Sequence, residues 1–256
     1  MTAKKEAKKI MQDFKYFLKD HVRMEVDFSS TDQSRGLAPP PIQKPCPQGA
    51  EKIALPAGKE WKTVEPVSLV DAIAARKSRR AATKKDLLLS ELSFLLWATQ
   101  GIREKHGPYH ALRTVPSAGC RHSFETYIAA FRVEGLEKAI YRYLPEGHEL
   151  VKESVPDNLE QKVSRMALGQ SFAARSAATF IWTTVTSRME WRYGKAAYKV
   201  IALDAGHVCQ NLYLACEAVN CGTCAIAAYD QSYSDAILGV DGDEEFTLYM
   251  APVSKL

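Results

Sequence analysis

Arg76, Ser78 and Arg80 place two guanidiniums and a hydroxyl at alternate positions of one basic run, Arg76-Lys77-Ser78-Arg79-Arg80. Arginine forks and hydroxyl donors are what a phosphate group seeks, but such a run is also an ordinary solvated helix end. Further on, Arg113-Thr114-Val115-Pro116-Ser117-Ala118-Gly119-Cys120 combines small residues with a turn former. Small side chains let backbone approach a planar ring closely, and the same composition makes a plain turn. Cys221-Gly222-Thr223-Cys224 has the spacing of a redox pair or of half a zinc site. A structural zinc site needs four ligands, and no second cysteine pair or histidine cluster accompanies this one. With apolar residues on both sides and no βαβ pattern around it, the pair reads as two buried thiols. No metal site is expected.

Other chemistries leave no trace. The chain has no G-x-G-x-x-G after a strand and no G-x-x-x-x-G-K-[ST], so neither dinucleotide-fold nor P-loop phosphate binding is indicated. H-E-x-x-H and G-x-S-x-G are absent too, and the six histidines are scattered.

The elements that must position these residues follow from periodicity. Residues 1–23 read as an amphipathic helix, with Ile10, Phe14, Phe17 and Leu18 on one face, expected to dock on the body by that face. Basic amphipathic helices also serve membrane surfaces and partner proteins. Residues 28–66 hold seven of the twelve prolines and read as extended wrapping, because proline removes backbone donors. The expected division is therefore 1–66, helix and wrapping segment, and 67–256, the main domain. In the latter, Ser68 begins an N-cap pattern with Asp71, leading into the basic run. If that helix continues through the run, Arg79 is expected to be its solvated member. Ser90 opens a helix ended by Gly101. Strands are expected at 125–133, 138–144, 148–153, 178–186, 224–229 and 246–253, and helices at 157–168 and 232–238. The segment 196–219 is apolar on more than one face, which suits a buried helix or a subunit interface. Irregular interleaving of strands and helices favours α+β over a doubly wound sheet.

Charge narrows the partners. Residues 1–23 carry seven Lys/Arg against three acids, so the whole net charge of +4 sits there and the remaining 27 basic and 27 acidic groups balance. A nucleic-acid-binding body shows its basic excess on the fold, so no nucleic-acid partner is expected. No apolar stretch approaches the ~20 residues of a membrane span, and no secretory signal is seen. A cytoplasmic protein with reduced cysteines, and without a membrane partner, is the expectation.

Three segments together resemble the nitroreductase family of FMN enzymes: the run at 76–80, the P-S-A-G loop at 116–119, and Asp204-Ala205-Gly206-His207 through Cys221–Ala228. Their order and spacing match the family over roughly 67–253. The resemblance implies an α+β fold with a mainly antiparallel sheet flanked by helices and two FMN sites at a homodimer interface. It implies that Arg76, Ser78 and Arg80 contact the phosphate and pyrimidine of FMN. Pro116, Ser117, Ala118 and Gly119 would come from the other subunit. Ala225, Ile226, Ala227 and Ala228 would pass beside the flavin, with an amide of Ala227 or Ala228 at N5. Gln100 and Lys255 are further contacts in this reading. NAD(P)H would serve as reductant in a ping-pong hydride transfer to a small aromatic or conjugated acceptor.

Within the family the chain is most similar to the thiazoline/oxazoline dehydrogenase branch, through Ala139-Ile-Tyr-Arg-Tyr, Trp191-Arg-Tyr-Gly and the proline-rich segment. That branch carries a Lys-Tyr pair where this chain has Arg192-Tyr193, the possible catalytic pair here. Arginine stays protonated and is a poor acid or base. Heterocycle oxidation with O2, or flavin binding without turnover, are the alternatives.

Overall fold

A computed structural model describes residues 3–256. Its centre is a seven-stranded, wholly antiparallel sheet in the order β1 (Lys52–Ala54), β6 (Glu149–Ser154), β5 (Ala139–Leu144), β4 (Phe124–Ala130), β7 (Ala178–Val185), β9 (Glu245–Lys255), β8 (Cys221–Thr223). β4, β5 and nearly all of β7 are buried on both faces. They are therefore rich in β-branched and aromatic residues rather than strictly alternating in polarity.

Alternation instead sorts side chains between two layers. Ile128, Ala130, Phe180 and Trp182 face α3 (Leu89–Gln100) and α7 (Ala197–Ala218). Tyr127, Ala129, Phe131 and Ile181 face α4 (Leu159–Met166), α5 (Phe172–Arg175) and α8 (Gln231–Leu238). Residues 102–113 form a separate hairpin of β2 (Ile102–Lys105) and β3 (Ala111–Arg113). The expected α+β architecture is present, with helices on both faces of an antiparallel sheet.

Caps set the boundaries. Ser68 Oγ accepts from the Asp71 amide and starts α2 (Leu69–Ala75), and Asp230 caps α8 through the Tyr233 amide. α2 stops at Ala75, so the basic run is extended, not helical. The expected strand at 224–229 is also corrected. The strand is β8, and 224–229 is a loop tied to β9 by the reciprocal Ile226–Met250 bonds.

The proline-rich segment supplies more than wrapping. It contains β1, missed because three residues show no period, and it threads carbonyls into the core. Ile42 O accepts from Arg113, and Lys44 O and Pro45 O accept from Arg142. The N-terminal helix α1 (Ala3–Leu18) departs most from expectation. From Glu6 onward every residue is exposed, so its apolar face is not docked on the domain. No helix among the described residues is long and apolar enough to cross a membrane.

Candidate functional site

The extended run after α2 lies along β8. Ser78 bridges Thr223, and the Arg79 amide donates to Thr223 O at 2.9 Å. Extended backbone alternates its side chains, which puts Arg76, Ser78 and Arg80 on one side and Arg79 on the other. Ser78 Oγ shares a 3.0 Å hydrogen bond with the Tyr213 hydroxyl, which also accepts from the Ala225 amide at 2.9 Å. The Arg76 guanidinium stands over the Tyr213 ring at 5.4 Å, and Arg80 over Phe172 at 5.7 Å. Arg79, expected in solvent, is instead ion-paired to Glu217 on α7. Tyr213 escaped the sequence reading because one tyrosine on a largely apolar helix carries no spacing signal.

Ile226 is buried, while Ala227 and Ala228 are exposed. The amides of Ala227 and Ala228 donate to no acceptor among the described residues, and Ala228 O accepts from Gln170. Ala227 lines a cleft of about 260 Å³ with Ala202, Ala205, Gly206, Leu248 and Tyr249. Arg76 and the one hydroxyl proton left by the Ser78–Tyr213 bond are donors suited to a phosphate, and two and three residues past Ala225 the amides of Ala227 and Ala228 are free for a ring edge.

The loop at 116–119 lies elsewhere on α7. The Ala118 amide donates to the Asp204 carboxylate at 3.1 Å. Burial raises the Asp204 pKa, against the Ser117 and Ala118 hydrogen bonds that lower it. Gly119 has φ +57, and a Cβ there would sit 2.7 Å from Arg192 Cδ and 2.8 Å from the Tyr193 hydroxyl. The left-handed backbone here favours glycine, and a larger residue would also push Arg192 and Tyr193 aside. Cys120 and His122 also have positive φ, costing about 1 kcal/mol each. The strained loop lines a cleft of about 340 Å³ with Arg103 and Arg113.

Asp204 and Tyr213 are nine residues apart on α7, which is half a turn out of phase and about 13 Å along the axis. The Ala118 and Ser78 contacts of one chain therefore lie on opposite faces of that helix.

Two candidates go elsewhere. Gln100 is buried and accepts from Arg113 at 2.6 Å. The Lys255 ammonium is committed to Glu91 at 2.7 Å and to Val219 O. Cys221 and Cys224 are buried free thiols, and burial pushes the Cys221 thiol up to about 12. Among the described residues no group of three or more His, Cys, Asp or Glu could hold a metal ion.

Burial holds His122 down to about 3, with Arg113, Arg121 and His110 adding positive charge. The folded protein keeps it neutral, whereas the unfolded chain protonates near 6.5. Its contribution is present above that pH and is lost as pH falls from about 6.5 toward 3. Replacement by Gln should flatten the acid limb of urea-unfolding stability between pH 6.5 and 4. An unchanged limb would assign it to other groups.

The model of the nitroreductase family matches residues 73–254. A protein of Methanocaldococcus jannaschii described as a nitroreductase is 30% identical over 192 residues, covering 75% of this chain and 93% of that one. The trifolitoxin-processing protein of Rhizobium leguminosarum bv. trifolii is 25% identical over 136 residues, 52% of this chain and 36% of that one. A crystal structure described as a nitroreductase from Anabaena variabilis superposes with TM-score 0.63 at 25% identity, covering 81% of this chain and 42% of that one. The chain thus spans less than half of the Rhizobium and Anabaena proteins. With the family model matched through β9 and an antiparallel sheet between helix layers, the chain belongs to the nitroreductase family.

Proposed function

We propose that the protein is an FMN-dependent oxidoreductase acting as a homodimer, with NAD(P)H as reductant and a small aromatic or conjugated acceptor. The observation that carries this reading is the patch of Arg76, Ser78, Tyr213, Ala225, Ala227 and Ala228. It offers charge-assisted donors for a phosphate and unpaired amides for a ring edge. FMN, when bound, supplies hydride transfer at N5, from reductant to acceptor.

The chain's own residues bind and orient. Arg76 and Ser78 would hold the phosphate, Arg80 the phosphate or the pyrimidine edge, and the amide of Ala227 or Ala228 would donate to N5. Ile226 anchors that loop through its paired bonds to Met250. Pro116, Ser117, Ala118 and Gly119 would close the site from the partner, which the opposite faces of α7 support. Gln100 would act only through Arg113, and Lys255 only by fixing the C-terminal strand.

Purified protein is expected to be yellow and to release one FMN per chain on denaturation. Colourless protein that takes up no added FMN would end this reading. Arg76→Ala should cost about 1.5–3 kcal/mol of FMN affinity, measured by fluorescence titration. Arg79→Ala should cost a similar amount in urea-unfolding stability with little change in affinity, because it breaks the Glu217 pair. Equal losses of affinity from the two variants would mean that the phosphate is misplaced.

The trifolitoxin-processing relative favours a second reading, oxidation of a peptide-borne heterocycle with O2 as acceptor. Arg192 and Tyr193 then become the pair of interest, because they pack on Gly119 of the loop. Anaerobic NADH or NADPH separates the readings: rapid bleaching marks a reductase, and flavin bleached only by a heterocyclic peptide marks the oxidase. Flavin bleached by neither marks a binder without turnover.

A further inference from the structure

The helix α1 carries five lysines against two acids, most of the chain's excess positive charge, and lies undocked. At 100° per residue, Ile10, Met11, Phe14, Phe17 and Leu18 fall within an arc of about 120°. Phe14 is 68% exposed and Leu18 69%. Past the helix, Met24 is 88% exposed as well. Soluble proteins rarely leave such contiguous surface bare unless something covers it.

The flanks of the arc differ. On one side lie Lys8, Lys15 and, just past the helix, Lys19. None of these has a carboxylate partner among the described residues. On the other side lie Glu6 and Asp13, each three or four residues from Lys9 and so within reach of local neutralisation. The acids beyond the helix are already taken: Asp20 pairs with Arg23 and Lys199, and Glu25 with Lys195. These pairs fix the root of α1 beside the start of α7. The unopposed charge on this helix is therefore positive, beside an apolar face.

A second copy of the helix is a poor cover. Taken as a two-stranded seam, Ile10, Phe14 and Phe17 fill the core positions, with Glu6 and Asp13 on one shoulder and Met11 and Leu18 on the other. Parallel pairing sets each acid against the partner's Met11 or Leu18. Antiparallel pairing sets acid against acid. Neither arrangement engages the lysines. A bilayer with anionic headgroups engages both features, taking the aromatic and aliphatic arc at the acyl boundary and the lysines at the phosphates.

We infer that α1 seats the protein on an anionic phospholipid surface, lying in the plane of the interface without crossing it. This replaces the expectation of no membrane partner, and it does not depend on the flavin reading. The lysines bring the helix to the surface, and Phe14, Phe17, Ile10 and Leu18 hold it there.

The test is co-sedimentation of the full chain with vesicles. One set is phosphatidylcholine with about a quarter phosphatidylglycerol; the other is phosphatidylcholine alone. Binding to the anionic vesicles should be at least about tenfold tighter, since each lysine near the surface adds several-fold. Raising salt to about 0.5 M should weaken it. The double variant Phe14→Asp/Phe17→Asp should lose binding by about tenfold or more while melting as the parent does, because α1 contributes nothing to the core. Lys8→Gln/Lys15→Gln should lose the preference for anionic lipid. Equal binding to both vesicle types, or a double variant that sediments like the parent, would overturn the inference. So would a change of oligomeric state without lipid in the aspartate variant, since a protein surface would then cover the arc.

Discussion

Glu125→Leu is expected to destabilise the folded chain by about 3–5 kcal/mol, the largest effect of any single substitution considered. Glu125 is 2% exposed on β4 and accepts from the Lys44 amide, from Arg188 and, at 3.5 Å, from Arg142. Removing it leaves two buried guanidiniums short of their counter-charge. Arg142 keeps Glu153 at 2.6 Å, but Glu125 is the only carboxylate that Arg188 meets among the described residues. Urea unfolding should show the midpoint falling with an unchanged slope. In Glu125→Leu/Arg188→Met a good part of the loss should return, because the unpaired charge goes with the carboxylate. A double variant no more stable than the single one would show that packing at β4, not charge, sets the cost.

This network matters beyond stability. Arg188 lies in the first turn of helix α6 (Ser187–Tyr193), and its carbonyl accepts from Arg121 Nε. The same helix ends in Arg192 and Tyr193, the residues packed on Gly119. A buried ion pair thus anchors both sides of the strained 116–122 loop. Flavin affinity in Glu125→Leu should fall with the fraction folded and no faster.

Local patterns made much of this architecture legible. The Ser68 and Asp230 caps, the β-branched runs of β4, β5 and β7, and the apolar length of α7 each encode their element without help from distant residues. What failed depends on tertiary context. From the sequence, the basic segment reads as the end of α2. Pairing of Ser78 and Arg79 with Thr223 on β8 draws the chain out instead. The same strand position explains why 224–229 is a loop. β1 and the β2–β3 hairpin are too short to show a period.

The candidate site was partly readable for a related reason. Arg76, Ser78 and Ala225 carry their chemistry in residue type and spacing, and the structure gathers them around Tyr213. Lys255, a contact only by resemblance, is instead paired with Glu91, 164 residues away. Arg79 looked solvated under helical geometry and became an ion pair under extended geometry. Long-range charge pairing has no sequence period, so it stays hidden until the fold is known.

A mixed dimer should bind about one FMN when one chain carries Arg76→Ala and the other Ser117→Trp. The premise is assembly. α7 leaves Tyr198 and Leu203 exposed beside Ala202 and Gly206, and α2 leaves Leu69, Val70 and Ile73 exposed. A closed two-fold pairing buries the same patch on both chains. Within one chain Ser78 meets α7 at Tyr213, whereas Ala118 meets it at Asp204 on the opposite face. If the partner's loop completes each site, the mixed dimer collects both lesions in one site and leaves the other intact. Each parental homodimer then has two damaged sites, and the isolated heterodimer regains flavin in one of its two sites. If each chain completes its own site, both sites stay damaged and mixing restores none. Ser117 Oγ accepts from the His122 amide, so Pro116→Trp at an exposed position serves as a second lesion should Ser117→Trp misfold. Sedimentation velocity comes first, and a flavin-loaded monomer at micromolar concentration would remove the premise.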